Sequence, residues 1–177
     1  MKQESWSLGQ ALPGAVEKDG ISWALMPFEA LDVAVLYRVL ALRSSVFVVE
    51  QDCAFQEIDG LDPKGLIVVG MRQQGEHAFD VVATARILPP GVRFAEPTLG
   101  RLCVAAPYRQ HGFGRRLMLE AVSLCRERFP AQAIRVSAPA HLEKFHQAFG
   151  FQTVSEVYLE DRVPHVEMLL GADVSVS

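Results

Sequence analysis

The sequence is poor in cysteine: its 177 residues include only Cys53, Cys103 and Cys125, and no two of them form a C-x-x-C pair. So few and so scattered cysteines argue against a disulfide framework and give no ligand spacing for zinc. Two neighbouring histidines, His141 and His146, stand five positions apart, whereas a metal-binding helix needs a spacing of four. We therefore predict a reducing compartment and neither a structural nor a catalytic metal.

Long apolar runs and an excess of positive charge are also missing. No stretch approaches the roughly 20 apolar residues of a membrane-spanning helix. The first 20 residues mix glycine, proline, serine and charge, and they lack the apolar centre of a secretory signal. The formal net charge is −4, whereas a sequence-independent nucleic-acid binder would be basic. These absences predict a cytoplasmic protein with neither a membrane nor a nucleic acid as partner.

Half of the residues are apolar, which suffices for the core of one domain but not of two ordinary ones. Alternating apolar runs bounded by turn residues predict strands at 21–27, 66–72, 78–88, 98–105, 133–138, 151–160 and 163–170. Spacings of three and four residues predict helices at 33–48 and 113–128, and a short helix after Pro139. This order predicts a single mixed α/β sheet with helices on both faces.

The sheet and its helices are expected to span residues 21–170, with residues 1–20 as an N-terminal extension and residues 171–177 as a C-terminal tail. In the first helix, whose predicted cap is Asp32, the spacing predicts one inward-facing set: Val33, Leu36, Leu40, Arg43 and Phe47.

A loop with two glycines, Arg109–Gly114, separates a predicted strand from a predicted helix and is the most specific local feature. Gly112 and Gly114 allow backbone N–H groups to converge without an obstructing Cβ atom. The first N–H groups of the helix have no internal partners, so the loop can bind a pyrophosphate. A Walker P-loop would need a Lys-Ser/Thr pair after the second glycine, and a Rossmann site would need G-x-G-x-x-G. A tight turn that merely starts a helix remains the simpler alternative.

This loop resembles motif A of the GNAT acetyltransferases, and the strand before it contains Leu102, Cys103 and Val104. The strand 133–138, followed by a helix with His146 and the pair Gly150-Phe151, resembles motif B. The order of shorter segments is similar to the ElaA-like branch of that superfamily over residues 22–170. Those segments are ALRSSVFVVEQ, QEIDGLD, TLGRL, SAPAHL and VYLEDRVPHVEM.

The resemblance implies a GNAT fold with a mostly antiparallel, twisted sheet of six to seven strands. It also implies acetyl-CoA as the acyl donor, with its pantetheine arm along the strand that carries Leu102, Cys103 and Val104. A backbone N–H of that segment would polarise the thioester carbonyl. The residues implied for the pyrophosphate are Arg109, Gln110, His111, Gly112, Phe113, Gly114 and Arg115. The acceptor would be a primary amine on a small molecule or a peptide, and the apolar strands can support a homodimer.

Three residues are catalytic candidates by this resemblance. His146 stands where many GNAT enzymes have a tyrosine that protonates the leaving thiolate, and an imidazole can donate a proton near neutral pH. The alternatives are that His146 only packs and that Tyr158 or water supplies the proton. Glu50 is a candidate base or cation anchor. Cys103 is expected to be a small buried apolar residue and not an acyl-carrying nucleophile.

Arginines inside apolar strands need carboxylate partners. The simplest hypothesis is an ion-pair network that ties the acidic loop 50–62 over the sheet. The set comprises Arg43, Glu50, Asp59, Asp62, Arg86 and Arg101. The alternative is an amine-acceptor site anchored by Glu50 or Asp62.

Two other functions stay open at this stage. Acyl-homoserine-lactone synthases share the fold and a similar set of charges, although they generally use an acyl carrier protein and lack the glycine loop. A non-catalytic CoA-binding module is the other candidate, because this chain has His146 in place of tyrosine and Pro139 in place of a glutamine.

Overall fold

The computed structural model describes residues 15–18, 20–75, 78–110 and 112–174. The strands are β1 Val16–Lys18, β2 Ile21–Pro27, β3 Leu66–Gln73, β4 Phe79–Leu88, β5 Thr98–Val104, β6 Ile134–Pro139, β7 Gln152–Thr153, β8 Tyr158–Glu160 and β9 Val163–Leu170. The α-helices are α1 Val33–Ser44, α2 Phe113–Arg128 and α3 Glu143–Gln147. Helix α1 continues into a π-helical turn at Ser45–Glu50.

These strands form one sheet in the order β1-β2-β3-β4-β5-β6-β9-β7, and β8 also pairs with β9. Only the β5–β6 pair is parallel, so the prediction of a mixed, mostly antiparallel sheet is confirmed. The described chain has nine strands instead of six to seven. The difference comes from β1, which is too short to give an alternating pattern, and from the predicted strand 151–160, which is two short strands, β7 and β8. Strand β1 lies inside the segment assigned to the N-terminal extension.

Helices cover both faces of the sheet, as predicted. In β3, Val68 belongs to the core under α2, together with Leu117. Its neighbour Val69 belongs to the other core, which α1 closes with Val35 and Val39. Successive side chains of a strand point to opposite faces, so the two helices lie on opposite sides.

The predicted inward face of the first helix was wrong. Asp32 caps the helix as expected, because its Oδ1 accepts a hydrogen bond of 2.8 Å from the Ala34 amide. The side chains that this helix buries, however, are Val35, Val39 and Arg43, while Val33 is 76% exposed. Apolar residues occur on nearly every side of this helix, so the spacing alone could not select the buried face.

The parallel pair β5–β6 is unusually short. Its ladder consists of Thr98 opposite Arg135 and Leu99 opposite Val136. Beyond these pairs, β5 continues beside β4 alone and β6 continues beside β9. A cleft therefore opens in the middle of the sheet, between residues 100–104 of β5 and residues 137–139 of β6.

Strand β5 bulges at the start of this cleft. Between two flanking residue pairs, β5 contributes two residues, Arg101 and Leu102, and β4 contributes only one, Ala85. Such a bulge rotates the local backbone and redirects its amides.

Candidate active site

A cavity of about 530 Å³ occupies the cleft, a volume that falls within the roughly 300–1,000 Å³ of ligand-binding clefts. The β5 and β6 strands form its two long walls. The N-terminal turn of α2 lies at one end, and the turn before α3, the π-helical turn and the β8–β9 hairpin complete the lining. The cavity therefore joins the two sequence motifs that the glycine loop and His146 mark.

The open edge of β5 presents unpaired main-chain groups to the cavity. The Ala105 amide donates to the Val82 oxygen of β4 at 2.9 Å. The backbone N–H and C=O groups of successive residues in a strand point to alternate sides, so those of Val104 point away from β4 and toward the cleft. There the Val104 oxygen accepts a hydrogen bond of 2.9 Å from Arg109 Nε. An extended polar ligand can bind such an edge as an added strand.

The glycine loop leads this edge into the N-terminus of α2. Gln110 and Gly112 have φ angles of 64° and 79°, in the left-handed region. No described side chain caps the helix at Gly112. A Cβ atom added at Gly112 or Gly114 would meet no described atom within 4 Å, so the turn faces open space. The first N–H groups of a helix have no partner within the helix, and together with the helix dipole they favour an anion.

The residues predicted to hold the acyl donor fall into three groups. Those that line the cavity are Leu102, Cys103, Val104, Arg109, Gln110 and Gly114. Phe113 packs edge-on against Tyr108, with ring centroids 5.9 Å apart, and the Arg115 guanidinium lies 5.4 Å from the Phe149 ring centroid. His111 lies outside the described residues. The edge of β5, the uncapped helix and the open glycine turn together fit a pantetheine arm followed by a pyrophosphate.

His146 lines the cavity and is only 6% exposed. Its Nδ1 atom lies 2.9 Å from the Leu142 carbonyl oxygen, which can only accept, so Nδ1 carries the hydrogen. Burial lowers the pKa of His146, and the ring is therefore neutral at pH 7. A neutral ring with its hydrogen on Nδ1 has a bare Nε2 that can accept a proton, and the donor role expected of His146 from the sequence stays a prediction.

Tyr158 belongs to a polar cluster on the β6 side. Its hydroxyl lies 2.6 Å from Ser137 Oγ, and Ser137 donates to Glu160 Oε2 at 2.7 Å. Ser137 and Glu160 line the cavity, whereas Tyr158 lies behind them. Burial raises the pKa of Tyr158, and the nearby negative charge of Glu160 adds to this effect. Burial alone would raise the pKa of Glu160, but hydrogen bonds from Ser137 and Arg93 lower it.

Sequence reasoning missed Ser137 and Glu160. The signal was present, because polar residues alternate with apolar ones in both strands. The sequence did not show which strand would form the cavity wall, because that depends on the order of the strands in the sheet.

Glu50 is separate from the other acidic residues. Its carboxylate makes a two-point ion pair with the Arg109 guanidinium at the cavity mouth, with Arg109 Nη2 2.9 Å from Oε2. The hydrogen bond from Arg109 lowers the pKa of Glu50, which weakens it as a base. The predicted base and the predicted phosphate-binding arginine are therefore direct partners in this structure.

Cys103 is 6% exposed in the wall, and burial raises the pKa of its thiol to about 12. At neutral pH it is a thiol and not a thiolate, so it lacks the reactivity of an acyl-carrying nucleophile. This agrees with the expectation of a small buried apolar residue.

The predicted ion-pair network exists, and it is buried. Arg43 donates to Glu57 at 2.7 Å and to Asp62 at 2.7 Å. Arg86 donates to Asp59 at 2.7 Å and to Asp62 at 3.1 Å. Asp62 is thus engaged by two guanidinium groups and has no free edge for an amine.

Glu57 is a member of this network that the sequence analysis missed, and Glu50 lies outside it. Burial would raise the pKa of Asp59, but hydrogen bonds from Arg86 and the Leu61 amide lower it to about 2. Each carboxylate of the network accepts from at least two donors, which offsets the cost of burying its charge.

Within the described ranges, no three His, Cys, Asp or Glu side chains come together in an arrangement that could hold a metal ion. In the same part of the chain, no helix has both the length and the apolar character needed to cross a membrane.

Comparison with known proteins agrees with this geometry. Residues 81–171 match the family model described as an acetyltransferase (GNAT) domain. The chain therefore belongs to the GNAT acetyltransferase family, whose members are acyl-CoA-dependent N-acyltransferases. Within the family it is ElaA-like: it is 37% identical to Protein ElaA of Escherichia coli over 150 residues, which is 84% of this chain and 95% of ElaA.

Solved structures give the same result. The crystal structure of an acyl-CoA N-acyltransferase from Pseudomonas aeruginosa superposes with a TM-score of 0.77 at 34% identity, covering 84% of this chain and 98% of the other. The crystal structure of Escherichia coli ElaA has a TM-score of 0.75 at 36% identity, with the same coverage. The CoA-dependent acyl-homoserine lactone synthase BjaI has a TM-score of 0.61 at 18% identity, covering 78% and 76%, which shows the shared fold alone.

Proposed function

We propose that this enzyme transfers an acetyl group from acetyl-CoA to a primary amine by direct attack. The observation that carries the proposal is the continuous path from the open edge of β5 into the uncapped N-terminus of α2. That path offers main-chain groups for a pantetheine arm and an anion site for a pyrophosphate at its end.

The proposed donor contacts follow this path. Leu102, Cys103 and Val104 would bind the pantetheine arm through their backbone. The pyrophosphate would be held by Arg109, Gln110, His111, Gly112, Phe113, Gly114 and Arg115, mostly through N–H groups of the turn and of the helix start. Because the open turn is formed by glycine and by left-handed backbone, the anion can approach the amides closely.

When bound, acetyl-CoA supplies an acyl carbon to which the amine nitrogen bonds while the thiolate leaves with the C–S electron pair. An amide of the Leu102–Val104 segment stabilises the charge that develops on the acyl oxygen. His146 Nε2 accepts the proton that the amine loses, and the imidazolium so formed can protonate the thiolate. Thus His146 becomes the acid expected from the sequence only after it has acted as a base. Tyr158, linked to the cavity through Ser137, is the alternative donor.

The acidic residues of the cavity lining favour a cationic acceptor. Glu50, Glu160 and Asp161 all line the cavity. An amine is protonated in water at neutral pH, so negative charge attracts it before it loses a proton. Both a small amine and a peptide amine meet this requirement.

An acyl-homoserine-lactone synthase is the runner-up. BjaI is described as CoA-dependent and was solved with SAM and isopentyl-CoA, so the use of an acyl carrier protein does not separate such synthases from this chain. The glycine turn and the uncapped helix support the acetyltransferase for this chain. A non-catalytic CoA-binding module stays open until turnover is measured.

The binding half of the proposal is tested with Gly112→Asp. A side chain at φ 79° and a negative charge at the anion site should weaken acetyl-CoA binding at least roughly 100-fold. Gly91→Asp is the matched control, because Gly91 has a φ of 82°, also has open space around its Cβ position, and lies away from the cavity. Calorimetric titration of both variants with acetyl-CoA gives the two affinities.

Equal affinities in the two variants would remove the glycine turn from the proposal. The catalytic half is tested by thiol release from acetyl-CoA with a panel of primary amines. Enzyme-dependent release with one amine excludes the non-catalytic module, whereas tight binding without release from any amine supports it. Release that occurs only with SAM as acceptor supports the synthase.

A further inference from the structure

Arg101 has an unusual backbone conformation for a strand residue in the cavity wall. Its φ angle is 53°, in the left-handed region that non-glycine residues rarely adopt. It stands in the bulge of β5, and it is one of the residues that line the cavity. A residue keeps such a conformation only where its surroundings hold it.

Three hydrogen bonds hold the Arg101 side chain. Its Nε donates to Glu57 Oε1 at 3.0 Å, and its Nη2 donates to the Glu57 backbone oxygen at 3.2 Å and to Asp59 Oδ2 at 3.1 Å. Glu57 Oε1 also accepts from Arg43 of α1, and Asp59 accepts from Arg86 of β4. The acceptors are therefore fixed by a helix and by a central strand.

The bulge that Arg101 occupies controls the amides that follow it. The peptide that joins Arg101 to Leu102 turns with the Arg101 backbone, and the Leu102–Val104 segment forms the open edge of the cavity. An extended conformation at Arg101 would turn the next amide to another direction. The buried charge network thus determines where the amides of the edge point.

We propose that Arg101 is a positioning residue: its clamped left-handed backbone aims an amide of the Leu102–Val104 segment at the acyl oxygen of acetyl-CoA. This inference rests on the proposed function, because that oxygen belongs to the acyl donor. Arg101 acts through the backbone and does not need to touch the acyl group. The network then has a role at the site as well as in the fold.

The test compares Arg101→Gly with Arg101→Ala. Both variants lose the same three side-chain hydrogen bonds, but glycine adopts a φ near 53° readily and alanine does not. The readout is the infrared carbonyl frequency of acetyl-CoA labelled with ¹³C at the acyl carbon and bound to the full chain. A hydrogen bond from an aimed amide weakens the C=O bond and lowers this frequency.

We expect wild type and Arg101→Gly to lower the carbonyl frequency relative to free acetyl-CoA, and Arg101→Ala to lose most of that shift. The dissociation constant of acetyl-CoA should stay within about threefold in both variants, because the pyrophosphate contacts are unchanged. Arg101→Lys replaces the alanine variant if the latter does not fold, since lysine keeps the charge and loses the fork of donors. Arg162→Gly and Arg162→Ala are controls, because Arg162 has a φ of 68° in the β8–β9 turn.

A wild-type carbonyl frequency in both variants would overturn the positioning role. Loss of the shift in both variants would show that the left-handed backbone needs the three hydrogen bonds of the Arg101 side chain, which supports the clamp. A wild-type protein that binds no acetyl-CoA would defeat the proposed function itself, which distinguishes that failure from a failure of the inference.

Discussion

Buried polar groups have different kinds of partners on the two sides of the cleft. Behind β5, three guanidinium groups and three carboxylates form ion pairs with one another. On the other side, His146 is as deeply buried but has a single carbonyl partner, so it is neutral. Paired charges suit a rigid wall, whereas a neutral ring with a bare nitrogen suits proton transfer.

A third arrangement occurs at the cavity mouth, where Glu50 and Arg109 form an exposed pair. Water and salt screen this pair, so it can exchange partners at little cost. The comparison therefore predicts that removing a charge lowers the stability of the protein most in the buried network and least in the exposed pair at the cavity mouth.

The largest effect on stability is expected for Asp62→Asn. The substitution removes the negative charge shared by Arg43 and Arg86, whose guanidinium groups stay buried. Breaking a buried ion pair in this way should lower the free energy of unfolding by roughly 3–5 kcal/mol. Urea denaturation measures the change.

The matched control for this substitution is Asp80→Asn on the exposed side of β4, where the carboxylate accepts from Gln74 Nε2. Its effect should stay within about 0.5 kcal/mol. A similar loss of stability in both variants would contradict the special position of the network.

An intermediate effect, on turnover, is expected for His146→Phe. If Nε2 takes the proton, the variant should lose about 100-fold in kcat while the affinity for acetyl-CoA changes little. His146→Gln should be equally slow, because an amide cannot take up the proton. Steady-state rates and calorimetry provide the two quantities, and unchanged turnover in both variants would remove His146 from the mechanism.

The same variant tests the neutral state of His146. Because burial lowers its pKa below the ordinary 6.5, the unfolded chain binds a proton below about pH 6.5 that the folded chain does not. Wild type should therefore lose stability as the pH falls below that value. His146→Phe should show a smaller loss over the same range.

The smallest effect is expected for Glu50→Gln. The pair with Arg109 is exposed, so urea denaturation should detect no change in stability. Release of the Arg109 guanidinium should tighten acetyl-CoA binding by no more than about threefold at low salt, and the gain should vanish at high salt. A marked loss of stability in Glu50→Gln would mean that this pair stabilises the fold as the ion pairs of the buried network do.

Most of the fold could be predicted from the sequence, because strands such as β3 and β4 are long apolar runs between turn residues and α2 has one clear apolar face. The GNAT family assignment and the fold class are confirmed. The buried face of α1 could not be predicted, since its apolar residues surround the helix and the π-helical turn at Ser45–Glu50 changes the phase.

The site was less predictable, because its geometry depends on pairing between distant segments. The glycine turn could be predicted from a short stretch of the sequence. The bulge at Arg101 and the place of Glu57 in the network could not be predicted in this way, since both follow from the register of β4 and β5 and from the path of the acidic loop. A positive φ at an arginine has no signature in the residue pattern.

Because β5 and β6 pair over only two positions, the sheet consists of two halves that are joined by a short ladder. In the described chain, the pairs at Thr98 and Leu99 and the hydrogen bond of 2.9 Å from the Arg135 amide to the Pro97 oxygen join these two halves by their main chains. Leu99, which is 1% exposed, therefore stands where the two strands part and the cleft begins.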